Sequence, residues 1–469
     1  MFDYRKFPLS LVGADPGVIT PFLNDLFAQF AERNIIWAVL HGGETLPYYT
    51  RRDIDFLFTG KQISLVKELV LEVALRHGWV CYAKFHFSAL HSLWLMLPTR
   101  EGRPSAYLQL DCFVDTSLRG ICFYRNGCAG VLSRRYQNED GVWCLNVFDA
   151  TALVVLKEVL ANGRIERESR QSEIAKVYRM SPDAFLKAMA AFRMSLETAQ
   201  EIVNRVGRGE WDNFKDLAPR VKKEIYSPRL HDLPTIGRYL FDLVKMFFFP
   251  FLRLHIVIVG PDGCGKTSVA DAIHERFKYR PFYGFLRLHG NFGSLPRLRD
   301  IWKSVARLAG KKVEYKADPA PATLHMGMQR PLARFRSMLY VAYYGIEYWL
   351  GRLKLRKWRT FSGMVIADRY FCDYFYMRGH MNCPTWWKKL FEKLAPKPDL
   401  IFALERPAED IYAQKPELTV EEIKREQNVI RAYLKGKKSA RIIDASHGLD
   451  ATVDAVAAEI EKWLLEKVR

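Results

Sequence analysis

Leu254-His-Ile-Val-Ile-Val-Gly260-Pro261-Asp262-Gly263-Cys264-Gly265-Lys266-Thr267-Ser268 is the stretch on which the reading of this chain turns. A short apolar run rich in Ile and Val predicts a buried strand. The segment after it, SVADAIHERF, has the spacing of a helix. Between them stands G-x-x-x-x-G-K-[ST], in the strand, loop and helix context that this motif requires. The glycines let backbone N–H groups converge on phosphate oxygens, and the helix N-terminus adds a favourable dipole. Lys266 is expected to reach the β- and γ-phosphates, and Thr267 to ligate magnesium. Gly260, Asp262, Gly263, Cys264, Gly265, Lys266, Thr267 and Ser268 are therefore the expected contacts of a nucleoside triphosphate with Mg2+.

Outward from the loop, apolar runs (LHIVIVG, GMVIADR, PDLIFALE, ARIIDA) alternate with helical stretches. That alternation predicts an α/β domain with a parallel sheet over 254–469. Residues 1–145 mix helix and strand, with a helix near 20–33 and strands at IIWAVLHGG, DIDFLF and AYLQLDCFV. Residues 146–232 read as mostly helical, and 233–253 as a linker. The expected fold class is α/β multidomain: an N-terminal α+β domain, a helical middle and a C-terminal phosphate-loop domain.

A chain of 469 residues is long enough for two or three domains. Its apolar share (49%) and charged share (26%) exclude disordered, collagenous and coiled-coil classes. Lys and Arg total 71 against 52 Asp and Glu, a surplus of +19 that suits an anionic partner. The eight cysteines show no C-x-x-C pair and no zinc spacing, which fits reduced thiols in a cytoplasm. The N-terminus lacks the pattern of a secretory signal. Tyr239 to Gly260 is interrupted by Asp242, Lys245, Arg253 and His255, so no bilayer span is expected there. Two segments suit either burial or an anionic surface at the inner face of a membrane. They are 245–253 and the helical run Leu339 to Trp358, with Arg352, Lys354, Arg356, Lys357 and Arg359 at its end. Arg297, Arg299, Lys303, Arg307, Lys311 and Lys312 form a further basic group suited to an anionic channel or a solvated face.

The loop GPDGCGKTS resembles that of thymidylate kinases and related nucleoside-monophosphate kinases. The resemblance continues at Gly363-Met-Val-Ile-Ala-Asp368-Arg369-Tyr370, and later at Pro398 to Pro407 and Arg441 to Ala445. It implies ATP as phosphoryl donor, with Lys266, Asp368 and Arg369 catalytic. Asp368 would orient the magnesium shell, Arg369 would contact the acceptor, and Asp262 would meet an acceptor hydroxyl. Two departures stand out. The family's lid arginines are replaced by Ile411-Tyr-Ala-Gln414-Lys415-Pro-Glu417, leaving Arg406, Lys424, Arg425 or Arg431 to compensate. The serine after Asp-Arg-Tyr is absent, and Asp373 adds a carboxylate that disfavours a mononucleotide phosphate and suits a hydroxyl-rich acceptor. The expected acceptors are a mononucleotide, a sugar, a glycan or a lipid-linked group.

A second constellation is Leu40-His41-Gly42-Gly43, then Asp53-Ile-Asp55, and later Leu110-Asp111. Period-two alternation puts Asp53 and Asp55 on one face of a strand. Two carboxylates on one face hold magnesium, and a third from a neighbouring strand completes a two-metal site. Gly42 and Gly43 would let the backbone approach a triphosphate. The pattern resembles the polymerase-β-like nucleotidyltransferase superfamily over about residues 20–120, although Gly43 and Glu44 stand where a serine is frequent. His41, Glu44 and Arg52 are candidate substrate contacts. His86 and His91 flank a strand-like run from Phe85 to Leu97 and read as packing or surface residues rather than ligands. Cys264 and Cys372 read as small buried residues, or as oxidation-sensitive thiols if nearby cations stabilise the thiolate. The whole reads as a phosphotransferase joined to a metal-dependent nucleotidyltransferase, or as a nucleotide-binding regulatory protein with spent active sites.

Overall fold

The structure is a computed structural model and describes residues 16–50, 53–98, 105–248, 253–277, 284–290, 292–296, 298, 331–359, 363–377 and 380–467. The chain divides after Phe248 into two units. The basic residues Arg297, Arg299, Lys303, Arg307, Lys311 and Lys312 lie outside the described residues, as does Arg52.

The strands of the first unit are β1 (Trp37–Val39), β2 (Asp53–Phe58), β3 (Val80–Phe87), β4 (Leu90–Leu97) and β5 (Ala106–Phe113). They are followed by the short pieces β6 (Ser117–Leu118), β7 (Ile121–Cys122), β8 (Tyr136–Gln137) and β9 (Trp143–Cys144). Seven of them form one mixed sheet in the order β3-β4-β5-β2-β1-β9-β8. Side-chain parity decides its two faces. Ile54, Phe56 and Phe58 join a core with Phe22, Leu26 and Phe30 of the helix Pro16–Glu32 and with Val66, Val70 and Val73 of the helix Ile63–Arg76. Leu57, Ala38 and Leu40 point the other way, into a core shared with Leu153, Leu156, Ile202 and Val221. Those four belong to the helices Val147–Asn162, Leu196–Arg208 and Ala218–Ile225. The helical stretch after residue 146 thus covers the sheet's second face and lies in the same unit, because an uncovered face would leave those apolar side chains in water.

Two expectations change here. Residues 233–248 are not linker. They form the helix Leu233–Phe248, held within the first unit by specific contacts. The Asp242 carboxylate accepts from the Ser88 N–H at 2.8 Å, Thr235 Oγ1 donates to the Gly120 carbonyl at 2.6 Å, and Tyr239 meets the Phe87 ring edge-on. The run from Phe85 to Leu97 is not one strand but a hairpin, turned at Ser88, whose φ is 55°. His86 and His91 are its cross-strand pair, with rings stacked 4.3 Å apart.

The second unit holds β10 (Leu254–Val259), β11 (Gly284–Leu288), β12 (Gly363–Ala367), β13 (Leu400–Glu405) and β14 (Ala440–Asp444). All neighbours pair in parallel, in the order β11-β12-β10-β13-β14. Every residue of the central β10 is buried, as expected for a strand covered on both faces. Helices Lys266–Phe277, Pro331–Arg359, Thr385–Glu392, Val420–Leu434 and Leu449–Glu466 supply most of the cover. Among the described residues, no helix is long and apolar enough to cross a membrane. Of the basic group at the end of Pro331–Arg359, Arg352 donates to the Lys393 carbonyl and Lys354 to the carbonyls of Phe292 and Gly293. Both are engaged locally. The side chains of Arg356, Lys357 and Arg359 lie outside the described set.

Candidate functional site

The chain leaves β10 through a loop whose glycines all have positive φ: 156° at Gly260, 94° at Gly263 and 91° at Gly265. Their reasons differ. A Cβ on Gly260 would stand 2.5 Å from the Cys264 Sγ, and one on Gly263 would stand 3.1 Å from the Lys415 Cβ. Gly265 has nothing within 4 Å, so its backbone faces open space where the helix Lys266–Phe277 begins. Cys264 is turned inward, only 3% exposed, and burial pushes its thiol above the ordinary range. Burial does the same to Cys372. Neither thiol is a reactive thiolate. Ser268 is on the exposed side of the first helical turn.

Lys266 is buried and donates to the carbonyls of Gly260 and Pro261, both at 2.8 Å, and to Asp262 Oδ1 at 3.2 Å. The ammonium therefore braces the loop's curvature. Thr267 Oγ1 donates to Asp368 Oδ2 at 3.0 Å. Asp368 follows the end of β12, beside β10, and is 1% exposed. Two partners that the sequence reading missed complete its surroundings. Arg287 Nη2 lies 3.0 Å from Asp368 Oδ2, and His289 Nδ1 lies 2.9 Å from Oδ1. Both come from the end of β11, so the C-terminal ends of three parallel strands meet at one crevice, the position where such sheets collect ligands.

Arg369 Nη2 is bonded to both oxygens of Asp262, at 3.0 and 3.1 Å. Burial would raise the Asp262 carboxyl, but the charges of Lys266 and Arg369 outweigh it and hold the group below its ordinary value. Next to this pair a cavity is lined by Asp262, Lys266, Arg369, Asp373, Tyr376 and Glu426. Burial pushes the Asp373 carboxyl up to about 6, against the Tyr376 hydroxyl, which donates to its Oδ1 at 2.6 Å. Burial pushes Glu426 up to about 7. Glu426 lies on the helix Val420–Leu434, far along the chain from every motif, and no local signal singled it out. The lid cations have partners of their own: Lys415 with Glu417, Lys424 with Glu409, Arg431 with Glu405, and Arg406 with Gln414.

In the first unit, β2 and β5 run parallel with Asp55 opposite Asp111. Asp53, Asp55 and Asp111 each offer an oxygen within 4.8 Å of the others. By parity they face the helical side, where Lys157 of the helix Val147–Asn162 acts on Asp55. Burial first, then the charges of Asp53 and Asp111, push Asp55 up to about 7 despite Lys157. Burial pushes Asp111 up to about 6, although Ser92 and Gln109 donate to its carboxylate. His41 is held down to about 4 by burial and by the nearby charges of Lys157 and Arg170. Glu44 acts on Cys144 and Tyr136 instead. Gly43 has a packing reason, since a Cβ there would stand 2.3 Å from the Cys144 Sγ. Gly42 has φ 72° and open space around it.

A five-stranded parallel sheet with this loop at the end of its central strand defines a P-loop α/β unit. No protein-family model matches the chain. It is 24% identical over 214 residues to the protein named probable thymidylate kinase 1 of Saccharolobus solfataricus, covering 45% of this chain and 97% of the relative. Solved structures include a thymidylate kinase from Ehrlichia chaffeensis, with 14% identity, 45% of this chain and 99% of that chain covered, and a TM-score of 0.29. A gluconokinase from Sinorhizobium meliloti shows 17% identity, covers 46% and 95% of the two chains, and has a TM-score of 0.24. The similarity to thymidylate-kinase-like P-loop kinases thus spans about 45% of the chain.

Proposed function

We propose that this protein is an ATP-dependent phosphotransferase that moves the γ-phosphoryl group to an acceptor bound beside its phosphate loop. The observation that carries the reading is the 3.0 Å contact between Thr267 Oγ1 and Asp368 Oδ2, which joins the loop to the neighbouring strand end. The residues suit a triphosphate with Mg2+: Gly265 borders open space at a helix start, and a hydroxyl lies beside a carboxylate. Thr267 and Asp368 would hold Mg2+, which when bound neutralises charge on the β- and γ-phosphates. Lys266 holds the loop in its phosphate-accepting curve and turns its ammonium to the phosphates. Arg287 and His289 keep Asp368 oriented. Catalysis is then positioning and electrostatics, with the acceptor aligned in the adjoining cavity. The test is ADP formation from MgATP by the full chain and by Lys266→Ala. Equal turnover in the two would overturn the assignment.

A second activity, nucleotidyl transfer at Asp53, Asp55 and Asp111, is proposed from one observation. Three carboxylate oxygens lie within 4.8 Å of one another, two of them on groups pushed toward neutrality. Such a cluster is stabilised by divalent cations, and these three residues would hold them. Labelled ATP separates the alternatives. Label carried to an acceptor from the γ-position means phosphoryl transfer, label carried from the α-position means nucleotidyl transfer, and binding without product favours a regulatory protein.

A further inference from the structure

The cavity beside the phosphate loop has an unusual charge balance for a site that would take a phosphorylated acceptor. Asp262, Asp373 and Glu426 face Lys266 and Arg369, three carboxylates against two cations. Both cations are already engaged. Lys266 is bonded to the carbonyls of Gly260 and Pro261, and one nitrogen of Arg369, Nη2, is taken by both oxygens of Asp262. A monophosphate carries about −1.5 to −2 and offers acceptor oxygens almost exclusively. It would meet the Asp262 carboxylate, which is held ionised and also only accepts.

Glu426 sharpens the argument. Its side chain lines this cavity, and the residue is 3% exposed. Among the described residues its carboxylate accepts no hydrogen bond, and the nearest cation is Arg425 Nη2 at 3.7 Å. A buried carboxylate without a donor is costly, and native proteins supply one. Asp373 has the Tyr376 hydroxyl as a donor. Glu426 has only the Arg425 guanidinium, at 3.7 Å, so a bound molecule that donates would give it a hydrogen bond.

Resting on the phosphotransferase reading above, the geometry points to a neutral, hydroxyl-rich acceptor, a sugar or a nucleoside, whose hydroxyls donate to Glu426, Asp373 and Asp262. In the transfer, one acceptor hydroxyl oxygen bonds the γ-phosphorus of ATP as the bond from that phosphorus to the β-phosphate oxygen breaks. The hydroxyl proton passes to a cavity carboxylate, and ADP leaves. Arg369 acts here as the positioning partner of Asp262. It is not the receptor for an acceptor phosphate.

The experiment measures ADP formation by the full chain with MgATP against a panel of neutral monosaccharides and nucleosides and the monophosphate of each. The expected result is at least a 10-fold stimulation by a neutral member and none by its monophosphate. For that neutral acceptor, Glu426→Gln is expected to raise KM about 10-fold with kcat changed by less than about threefold, the split for a group that binds more than it reacts. Greater stimulation by a monophosphate than by its neutral parent overturns the proposal. So does wild-type protein that binds MgATP through Lys266 yet responds to no neutral member. Failure of the wild type to bind MgATP would remove the phosphotransferase reading itself, and this proposal with it.

Discussion

The two units surround their acids differently. In the P-loop unit three carboxylates near the loop have a cation or donor close against them: Asp368 has Arg287 and His289, Asp262 has Lys266 and Arg369, and Asp373 has Tyr376. Glu426 stands apart, with Arg425 no nearer than 3.7 Å. In the first unit three aspartates crowd together with Lys157 as the cation acting on Asp55. The first arrangement fixes the curve of the loop. The second crowds like charges, and that crowding together with burial pushes Asp55 up to about 7.

The largest expected effect breaks the comparison on the P-loop side. Lys266→Ala should lower ATP turnover on the order of 10²–10³-fold, read by coupled ADP release, since the ammonium proposed to meet the transferring phosphoryl group is removed. Loss of its three loop contacts should also cost about 1–3 kcal/mol, read by urea unfolding.

The triad side is tested by pH. Asp55 and Asp111 hold protons when folded at pH values where the unfolded carboxyls, near 4, have released them. Stability from these groups is therefore present at low pH and is lost as pH rises from about 4 to about 7. Asp55→Asn should flatten that dependence and raise stability at pH 8 by about 1–3 kcal/mol. Millimolar Mg2+ or Mn2+ should raise the Tm of the wild type at pH 8, with EDTA reversing it, and should leave Asp55→Asn unmoved. A metal effect that survives in that variant would detach the cations from the triad.

A smaller effect asks why the glycine turn exists. Gly43→Ser should cost about 1–3 kcal/mol by overpacking against Cys144, and Cys144→Ala should relieve most of that cost in the double variant. No recovery would mean that the backbone path, not the sulfur, demands glycine.

Smallest is Thr267→Ala. It removes one hydroxyl from Asp368 and is expected to lower turnover about 10-fold, with a stability loss near 1 kcal/mol.

How much of this was legible in the sequence depends on how far apart the participating residues lie. The phosphate loop was fully readable, because glycine spacing, the flanking strand and the following helix are all local. The Asp53-x-Asp55 face was readable for the same reason, since strand parity is a two-residue rule. The hairpin at Ser88 was not, because its turn lacks the usual glycine and the apolar run continues through it. The helix Leu233–Phe248 was misjudged as linker because its anchor, Asp242 on the Ser88 N–H, spans 154 positions.

By itself, the sequence determined that a strand would lead through a glycine loop to a lysine at the start of a helix, and that two aspartates would share a face. Those outcomes follow from backbone conformation, which neighbouring residues set. Only the tertiary structure decided which groups Asp368 would meet, that the helices after 146 would pack on the triad's face of the sheet, and that Asp262, Asp373 and Glu426 would share one cavity. Those three come from a loop, a short turn of helix and a distant helix, and burial against common neighbours is what brings them together.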